Sequence, residues 1–152
     1  MLIYSWGHEN REIPNAMPGR HFDQILIQTK LNRPVIAANS VARPRLISRL
    51  DDALKGRVTL ICAPAGYGKT TLVLQWLDQR RMPAAWFAVD ETDSDPDRFL
   101  SYFVAAVRTV VPEFGSDIVR LLSSPQLPPP EYLTDAMLNA LAAIDQPLLI
   151  VL

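Results

Sequence analysis

The fold of this chain is indicated by residues 58–75, which read VTLICAPAGYGKTTLVLQ. The apolar, β-branched beginning predicts a strand over residues 58–63, and residues 69–81 have the pattern of a helix. The segment between them follows the phosphate-binding pattern G-x-x-x-x-G-K-[ST], except that Ala63 stands in place of the first glycine. A glycine-rich loop in the order strand, loop, helix is the context in which nucleotide phosphates are bound.

The residue types of this loop suit phosphate binding. Gly66 and Gly68 can adopt positive φ and direct backbone N–H groups at phosphate oxygens, and the helix N-terminus adds partial positive charge. Lys69 would reach the β and γ phosphates, the Thr70 hydroxyl would ligate Mg²⁺, and Thr71 would lie near the α phosphate. An ordinary glycine loop that caps a buried strand is the alternative, and the lysine and the threonine pair disfavour it. The predicted binding residues are Ala63, Pro64, Ala65, Gly66, Tyr67, Gly68, Lys69, Thr70 and Thr71.

The composition predicts one soluble globular domain. The chain has 152 residues, of which 49% are hydrophobic and 20% charged. Its net charge of −1 does not indicate a basic surface that would bind nucleic acid or an anionic membrane. The apolar runs are too short to cross a bilayer, and no secretory signal is present. The single cysteine, Cys62, lies in an apolar run, which predicts a buried, inert thiol and a reducing cytoplasm.

The rest of the chain alternates helical and strand patterns after an irregular beginning. Residues 1–25 lack periodicity and are predicted to be a disordered leader, followed by one domain over residues 26–152. A helix is expected to begin at Pro44, a strand to cover residues 85–89, a further helix to begin at Pro96, and a central strand to cover residues 148–152. This alternation predicts a three-layer α/β fold with a parallel sheet.

Two groups of residues have a functional and a structural interpretation. The acidic residues of segment 90–95 would either bind a cation or form a solvated loop with helix caps, and capping by Asp95 favours the loop. Asp90 is the best candidate for a functional exception, because it follows a strand at the sheet edge predicted to carry the phosphate loop. Trp76 and Trp86 are predicted to be core residues rather than a stacking platform for adenine.

Several separated motifs resemble one protein family. They are KLNRP at residues 30–34, VARPRL at 41–46, APAGYGKTTL at 63–72 with Gln75-Trp76 after it, WFAVDE at 86–91, and DRF at 97–99. In this order they resemble the P-loop ATPase module of MalT-like regulators. These are large ATP-binding members of the LuxR family of bacterial transcription activators, within the STAND class of signal-transduction ATPases. The resemblance covers about residues 26–152.

The resemblance implies a nucleotide-controlled switch. Such regulators hold ADP at rest, exchange it for ATP when an inducer binds, and then self-associate to activate transcription in the cytoplasm. They bind DNA through a C-terminal helix-turn-helix. By similarity, residues 63–70 would bind ATP or ADP, and Arg43 would lie near the adenine or the edge of the nucleotide.

The resemblance also implies a truncated ATPase domain. In the family, the run that resembles residues 147–152 continues into two aspartates that organise Mg²⁺ and polarise water, whereas this sequence ends at Leu152. In the family, a later segment of the sequence forms the strand that lies in the sheet between this run and the phosphate-loop strand. Without that strand, we expect a gap or a rearranged sheet, marginal stability and weak binding of nucleotide. We therefore expect binding of ATP or ADP with Mg²⁺, no hydrolysis, and no catalytic residue. A degenerate fragment without activity and, less favoured, a P-loop small-molecule kinase stay open as alternatives.

Overall fold

The structure is a computed structural model that describes residues 1–6, 26–124 and 128–152. The strands are β1 (Leu2–Trp6), β2 (Val58–Leu60), β3 (Ala84–Trp86) and β4 (Leu148–Val151). The helices are α1 (Gln28–Leu31), α2 (Pro44–Ala53), α3 (Lys69–Arg80), α4 (Pro96–Arg108), α5 (Ser116–Leu122) and α6 (Pro130–Ala142), and a 3-10 turn covers Glu91–Ser94. The prediction of an α/β fold is confirmed.

The four strands form one mixed sheet in the order β2-β1-β4-β3. Strand β3 is parallel to β4, whereas β1 is antiparallel to both of its neighbours. Strands β2, β3 and β4 therefore run in one direction, and their carboxyl ends lie at the same edge. The expectation of a wholly parallel sheet is wrong, because β1 runs against the others.

Strand β1 corrects the prediction that the chain begins with a disordered leader. Leu2 and Leu152 exchange two backbone hydrogen bonds of 2.9 Å, and the Ile61 N–H donates to the Met1 carbonyl at 3.0 Å. Ile3 is only 4% exposed, so this segment also contributes to the core. Residues 2–6 thus lie between β2 and β4, where we expected a gap or a rearranged sheet. The other leader residues, 7–25, are outside the described part, and the domain boundary at residue 26 stays a prediction.

Two hydrophobic clusters pack on opposite sides of β4, which is buried along its whole length. Leu148 and Ile150 belong to a cluster with α4, α5 and α6, whereas Leu149 and Val151 belong to a cluster with α2 and α3. Adjacent strand residues point to opposite faces, which explains this division. Trp76 and Trp86 are buried in the second cluster, as predicted. The predicted central position of the last strand is confirmed.

Strand β2 lies at the edge of the sheet and is poorly covered. Val58 is 53% exposed and Leu60 65% exposed. Cys62 is also exposed, so the prediction of a buried thiol is wrong. The strand is shorter than predicted and ends at Leu60, and the chain then leaves the sheet before Cys62. An apolar run before a glycine-rich loop therefore does not ensure burial here.

The helix starts agree with their sequence signals. Pro44 and Pro96 occupy the first turns of α2 and α4, and the Asp95 carboxylate accepts a hydrogen bond from the Arg98 N–H at 3.0 Å. Asp90 caps the 3-10 turn in the same way, through the Thr92 N–H. The prediction of a helix cap at Asp95 is confirmed, and Asp90, the candidate for a functional exception, also forms a cap. Among the described residues, no helix is both long and apolar enough to cross a bilayer.

Candidate phosphate-binding loop

The candidate loop joins the end of β2 to the start of α3, at the edge where the parallel strands end. Gly66 has φ of +80° and Gly68 has φ of +76°, both in the left-handed region that favours glycine. These are the two glycines that the sequence pattern required to have this freedom. The helix begins at Lys69, the residue after the second glycine.

The amino end of α3 offers backbone donors. The Leu72 N–H makes the first hydrogen bond of the helix, to the Gly68 carbonyl at 2.9 Å. The N–H groups of Lys69, Thr70 and Thr71 precede it, and no described side chain caps the helix at Gly68. The aligned peptide dipoles place partial positive charge at this same point. The first turn of α3 can therefore accept an anion.

The Lys69 ammonium group lies across the beginning of the loop. Its Nζ donates to the Ala63 carbonyl at 2.6 Å and to the Pro64 carbonyl at 3.0 Å. An ammonium group has three protons, so these two bonds leave one for a further acceptor. Lys69 follows Gly68 at the end of the loop, and its side chain reaches back to Ala63 and Pro64 at the beginning of the loop. Its positive charge therefore lies over the loop.

Arg43 contacts the same loop from the start of α2. Its Nη1 donates to the Tyr67 carbonyl at 2.9 Å. A Cβ added to Gly68 would lie 3.4 Å from Arg43 Nη2, which shows how closely the guanidinium approaches the backbone. The structure therefore brings Arg43 to the loop, and its predicted contact with the adenine or nucleotide edge stays a prediction.

Helix α3 fixes the segment that leads to Arg43. Gln75 Nε2 donates to Ser40 Oγ at 3.1 Å and to the Val41 carbonyl at 3.2 Å. Upstream, Arg33 Nη2 donates to the Leu74 carbonyl at 3.2 Å and pairs with Asp78. These bonds hold three residues before Arg43 against α3, the helix that follows the loop. The loop and Arg43 are therefore both supported by α3.

The surface of the loop is open. Residues 63–67 and Thr70 are exposed, Thr71 is half-buried, and a Cβ at Gly66 would meet no atom within 4 Å. The exposed Thr70 hydroxyl can provide one oxygen ligand to a hard cation. The predicted binding residues thus lie on one accessible loop and helix start.

A buried ion-pair cluster lies close along the chain to the end of β3, and the sequence motifs did not predict it. Lys30 Nζ is 2.6 Å from Asp93 Oδ2 and 2.8 Å from Asp90 Oδ2, and the Asp93 side chain is fully buried. Hydrogen bonds from Lys30 and Thr92 lower the pKa of Asp90 to about 2. In the sequence, Lys30 is part of the motif KLNRP, and nothing in its spacing from Asp93 indicates their contact.

This cluster bears on the acidic residues as possible metal ligands. Asp90 and Asp93 are already paired with a lysine, which competes with a cation for their oxygens. Within the described ranges, no group of three or more His, Cys, Asp or Glu side chains is placed to hold a metal ion. We therefore assign Asp90 and Asp93 to an ion pair.

Comparison with known proteins gives a partial but clear similarity. No family model and no solved structure matches the chain. The chain is 46% identical over 84 residues to the HTH-type transcriptional regulator MalT of Serratia proteamaculans. It is 48% and 47% identical over 85 residues to the proteins of the same name from Yersinia enterocolitica and Yersinia pestis.

These alignments cover 55% of this chain and 9% of each regulator. Such identity over more than 80 residues confirms the resemblance that the ordered sequence motifs indicate. Over the aligned stretch, this chain is similar to the HTH-type transcriptional regulators MalT.

Proposed function

We propose that this chain contains the ATP- and ADP-binding module of a MalT-like transcription regulator, in which the nucleotide acts as a conformational switch. The observation that carries the proposal is the loop itself: two glycines with positive φ precede Lys69, whose ammonium group lies over the first loop carbonyls. The similarity to regulators named MalT supports the biological setting. Assignment of the fold to the three-layer P-loop NTPase type is part of the same proposal.

The residues present fit a nucleotide phosphate and Mg²⁺. Two groups can donate hydrogen bonds to a polyanion: the uncapped first turn of α3 and the Lys69 ammonium group. The loop sequence contains no Asp or Glu whose negative charge would repel the polyanion. The exposed Thr70 hydroxyl would supply one Mg²⁺ ligand, and phosphate oxygens and water would supply the others. Bound Mg²⁺ would neutralise phosphate charge.

Arg43 is proposed to sense the nucleotide. Its guanidinium has five N–H donors, of which one is used for the Tyr67 carbonyl. The remaining donors can contact the edge of a nucleotide bound in the loop. Because Arg43 holds the loop backbone and would also touch the ligand, it would link occupancy of the loop to the position of α2.

We propose binding without turnover for the described residues. The carboxylates that follow β3, Asp90 and Asp93, are engaged by Lys30, so neither is available to activate water in this arrangement. Self-association and DNA binding are proposed for the regulator as a whole.

Titration with fluorescent ATP and ADP analogues in the presence of Mg²⁺ tests the proposal. Lys69→Ala should weaken binding roughly 10- to 100-fold, because hydrogen bonds to charged groups contribute about 1.5–3 kcal/mol. Lys55→Ala is the matched control, since it removes the same charge from a side chain that is 82% exposed and lies two residues after α2. Thr70→Ala should reduce the Mg²⁺-dependent part of ATP affinity.

Two outcomes would contradict the proposal. One is an unmodified chain that binds neither nucleotide at millimolar concentration, which would favour the inactive alternative. The other is Lys69→Ala with the same affinity as Lys55→Ala. Release of phosphate from ATP by the unmodified chain would contradict binding without turnover.

A further inference from the structure

Strand β1 connects the phosphate-loop strand to the rest of the sheet. In the described part of the chain, β2 pairs with β1 alone, and β1 pairs on its other side with β4. No described backbone pairing joins β2 directly to β3 or β4. Within the sheet, the position of β2 is therefore transmitted through β1, and helix α2 also packs against β2.

The pairing reaches the base of the loop. The Ile61 N–H donates to the Met1 carbonyl at 3.0 Å, two residues before Ala63 begins the loop. Side-chain burial holds β2 on one face only, because Val58 and Leu60 are both more than half exposed, whereas Thr59 is half-buried and Ile61 packs against the second cluster. Hydrogen bonds from β1 therefore carry a larger share of the anchoring of β2 than they would in a buried strand.

We propose that Leu2–Trp6 is a positioning element for the phosphate loop. Its pairing with β2 fixes the base of the loop, and the nucleotide affinity of the loop depends on that pairing. The affinity part of this inference rests on the proposed function, whereas the positioning of β2 and the loop does not.

Two isoleucines provide a matched test in the full chain. Ile3 is 4% exposed and lies opposite Thr59 of β2, and Ile144 is 5% exposed in the cluster on the other side of the sheet. Replacement of either by alanine removes the same atoms from a similarly buried position. Only Ile3→Ala loosens the strand that holds β2.

The expected results differ between the two variants. Ile3→Ala should speed amide hydrogen exchange at Thr59 and Ile61, and at Leu72 in the first turn of α3, by at least about tenfold relative to Ile144→Ala. It should also weaken binding of the fluorescent ATP analogue about tenfold, whereas Ile144→Ala should stay within about twofold of the unmodified chain.

A reversible cross-link tests the pairing directly. Met1 and Ile61 share a hydrogen bond, and the pattern alternates, so Leu2 and Leu60 form a non-hydrogen-bonded pair with Cα atoms about 4.5 Å apart. That separation allows a disulfide. Leu2→Cys with Leu60→Cys, in a Cys62→Ala background, should oxidise within one molecule. Added to Ile3→Ala, the disulfide should restore slow exchange and affinity, and a reductant should remove both effects.

Three results would overturn the inference: absence of an intramolecular disulfide, equal effects of Ile3→Ala and Ile144→Ala on exchange in β2, or a disulfide that forms without restoring slow exchange. If the unmodified chain bound no nucleotide, the proposed function would fail. Exchange in β2 and the loop would then still decide whether β1 positions them.

Discussion

Replacement of Lys30 by methionine should destabilise the fold by about 3 kcal/mol, because it leaves a buried carboxylate without its cation. The Lys30 ammonium lies 2.8 Å and 2.6 Å from the two oxygens of Asp93, and the two side chains are 9% and 0% exposed. Loss of one partner from a buried ion pair costs about 3–5 kcal/mol. Asp93 keeps hydrogen bonds from the Asp90 N–H at 2.9 Å and from Arg98 Nε at 3.1 Å, so the lower figure applies.

Urea unfolding at pH 7, followed by the fluorescence of the buried Trp76 and Trp86, measures this cost. Lys55→Met is the matched control and should change stability by less than about 0.5 kcal/mol, because Lys55 forms only an exposed pair. Asp93→Asn should cost less in the Lys30→Met background than in the unmodified chain, because the charge pairing between Lys30 and Asp93 is already absent there. The reasoning is refuted if Lys30→Met unfolds at the same urea concentration as Lys55→Met, or if Asp93→Asn has the same cost in both backgrounds.

The same cluster predicts how stability depends on pH. Burial alone would raise the pKa of Asp93, but hydrogen bonds from Lys30, the Asp90 N–H and Arg98 leave that pKa lowered, and the pKa of Asp90 is about 2. Carboxyl groups with a depressed pKa in the folded state stabilise it above their unfolded pKa of about 3.9, and this contribution is lost as pH falls through the folded values. Lys30 is the principal donor to both carboxylates. The stability difference between the unmodified chain and Lys30→Met should therefore shrink between about pH 5 and pH 2.

Three further changes test particular features of the fold. Asp95→Ala should lower the free energy of unfolding by about 1 kcal/mol in urea, since it removes the cap of α4, and an unchanged midpoint would contradict that role. Cys62 should react with a thiol reagent in the native protein nearly as fast as in urea, whereas strong native protection would mean that it is buried. Gly115→Ala should lower the melting temperature by several degrees, because Gly115 has φ of +63° and its added Cβ would lie 3.3 Å from Ile118 and Val104. A melting temperature equal to that of the unmodified chain would contradict the strain at Gly115.

The sequence predicts those features that depend on neighbours in the chain. Pro44 and the pair Asp95-Pro96 indicate the starts of α2 and α4 to within one turn. The glycines of the loop indicate positive φ, whatever the position of the loop in the fold. The run at β4 is apolar at every position and is buried at every position. In each case the signal and the structure it predicts are a few residues apart.

The features that were missed depend on distant residues. Residues 2–6 become a strand because of partners at 58–60 and 148–151, and these five residues by themselves contain no information about those partners. Burial of Lys30 likewise depends on Asp93, which is 63 residues away. The contact of Arg43 with Tyr67 spans 24 residues. A short segment reveals its own conformational preference, whereas pairing and burial are properties of the whole chain.

The uneven burial of the sheet bears on where the proposed nucleotide would act. Strand β4 is buried at every residue and cannot move without exposing both clusters, whereas β2 is short, half-exposed and held at one side by β1. A ligand present at a hundredfold excess over its dissociation constant stabilises the state that binds it by about 2.7 kcal/mol. That free energy is small compared with the stabilisation from burial of β4, but it is comparable with the contribution of a few hydrogen bonds at the edge of the sheet. Binding at the loop would therefore shift the pairing of β2 with β1 before it disturbed the packing of α4–α6, so a switch in this chain is expected at the β2 edge.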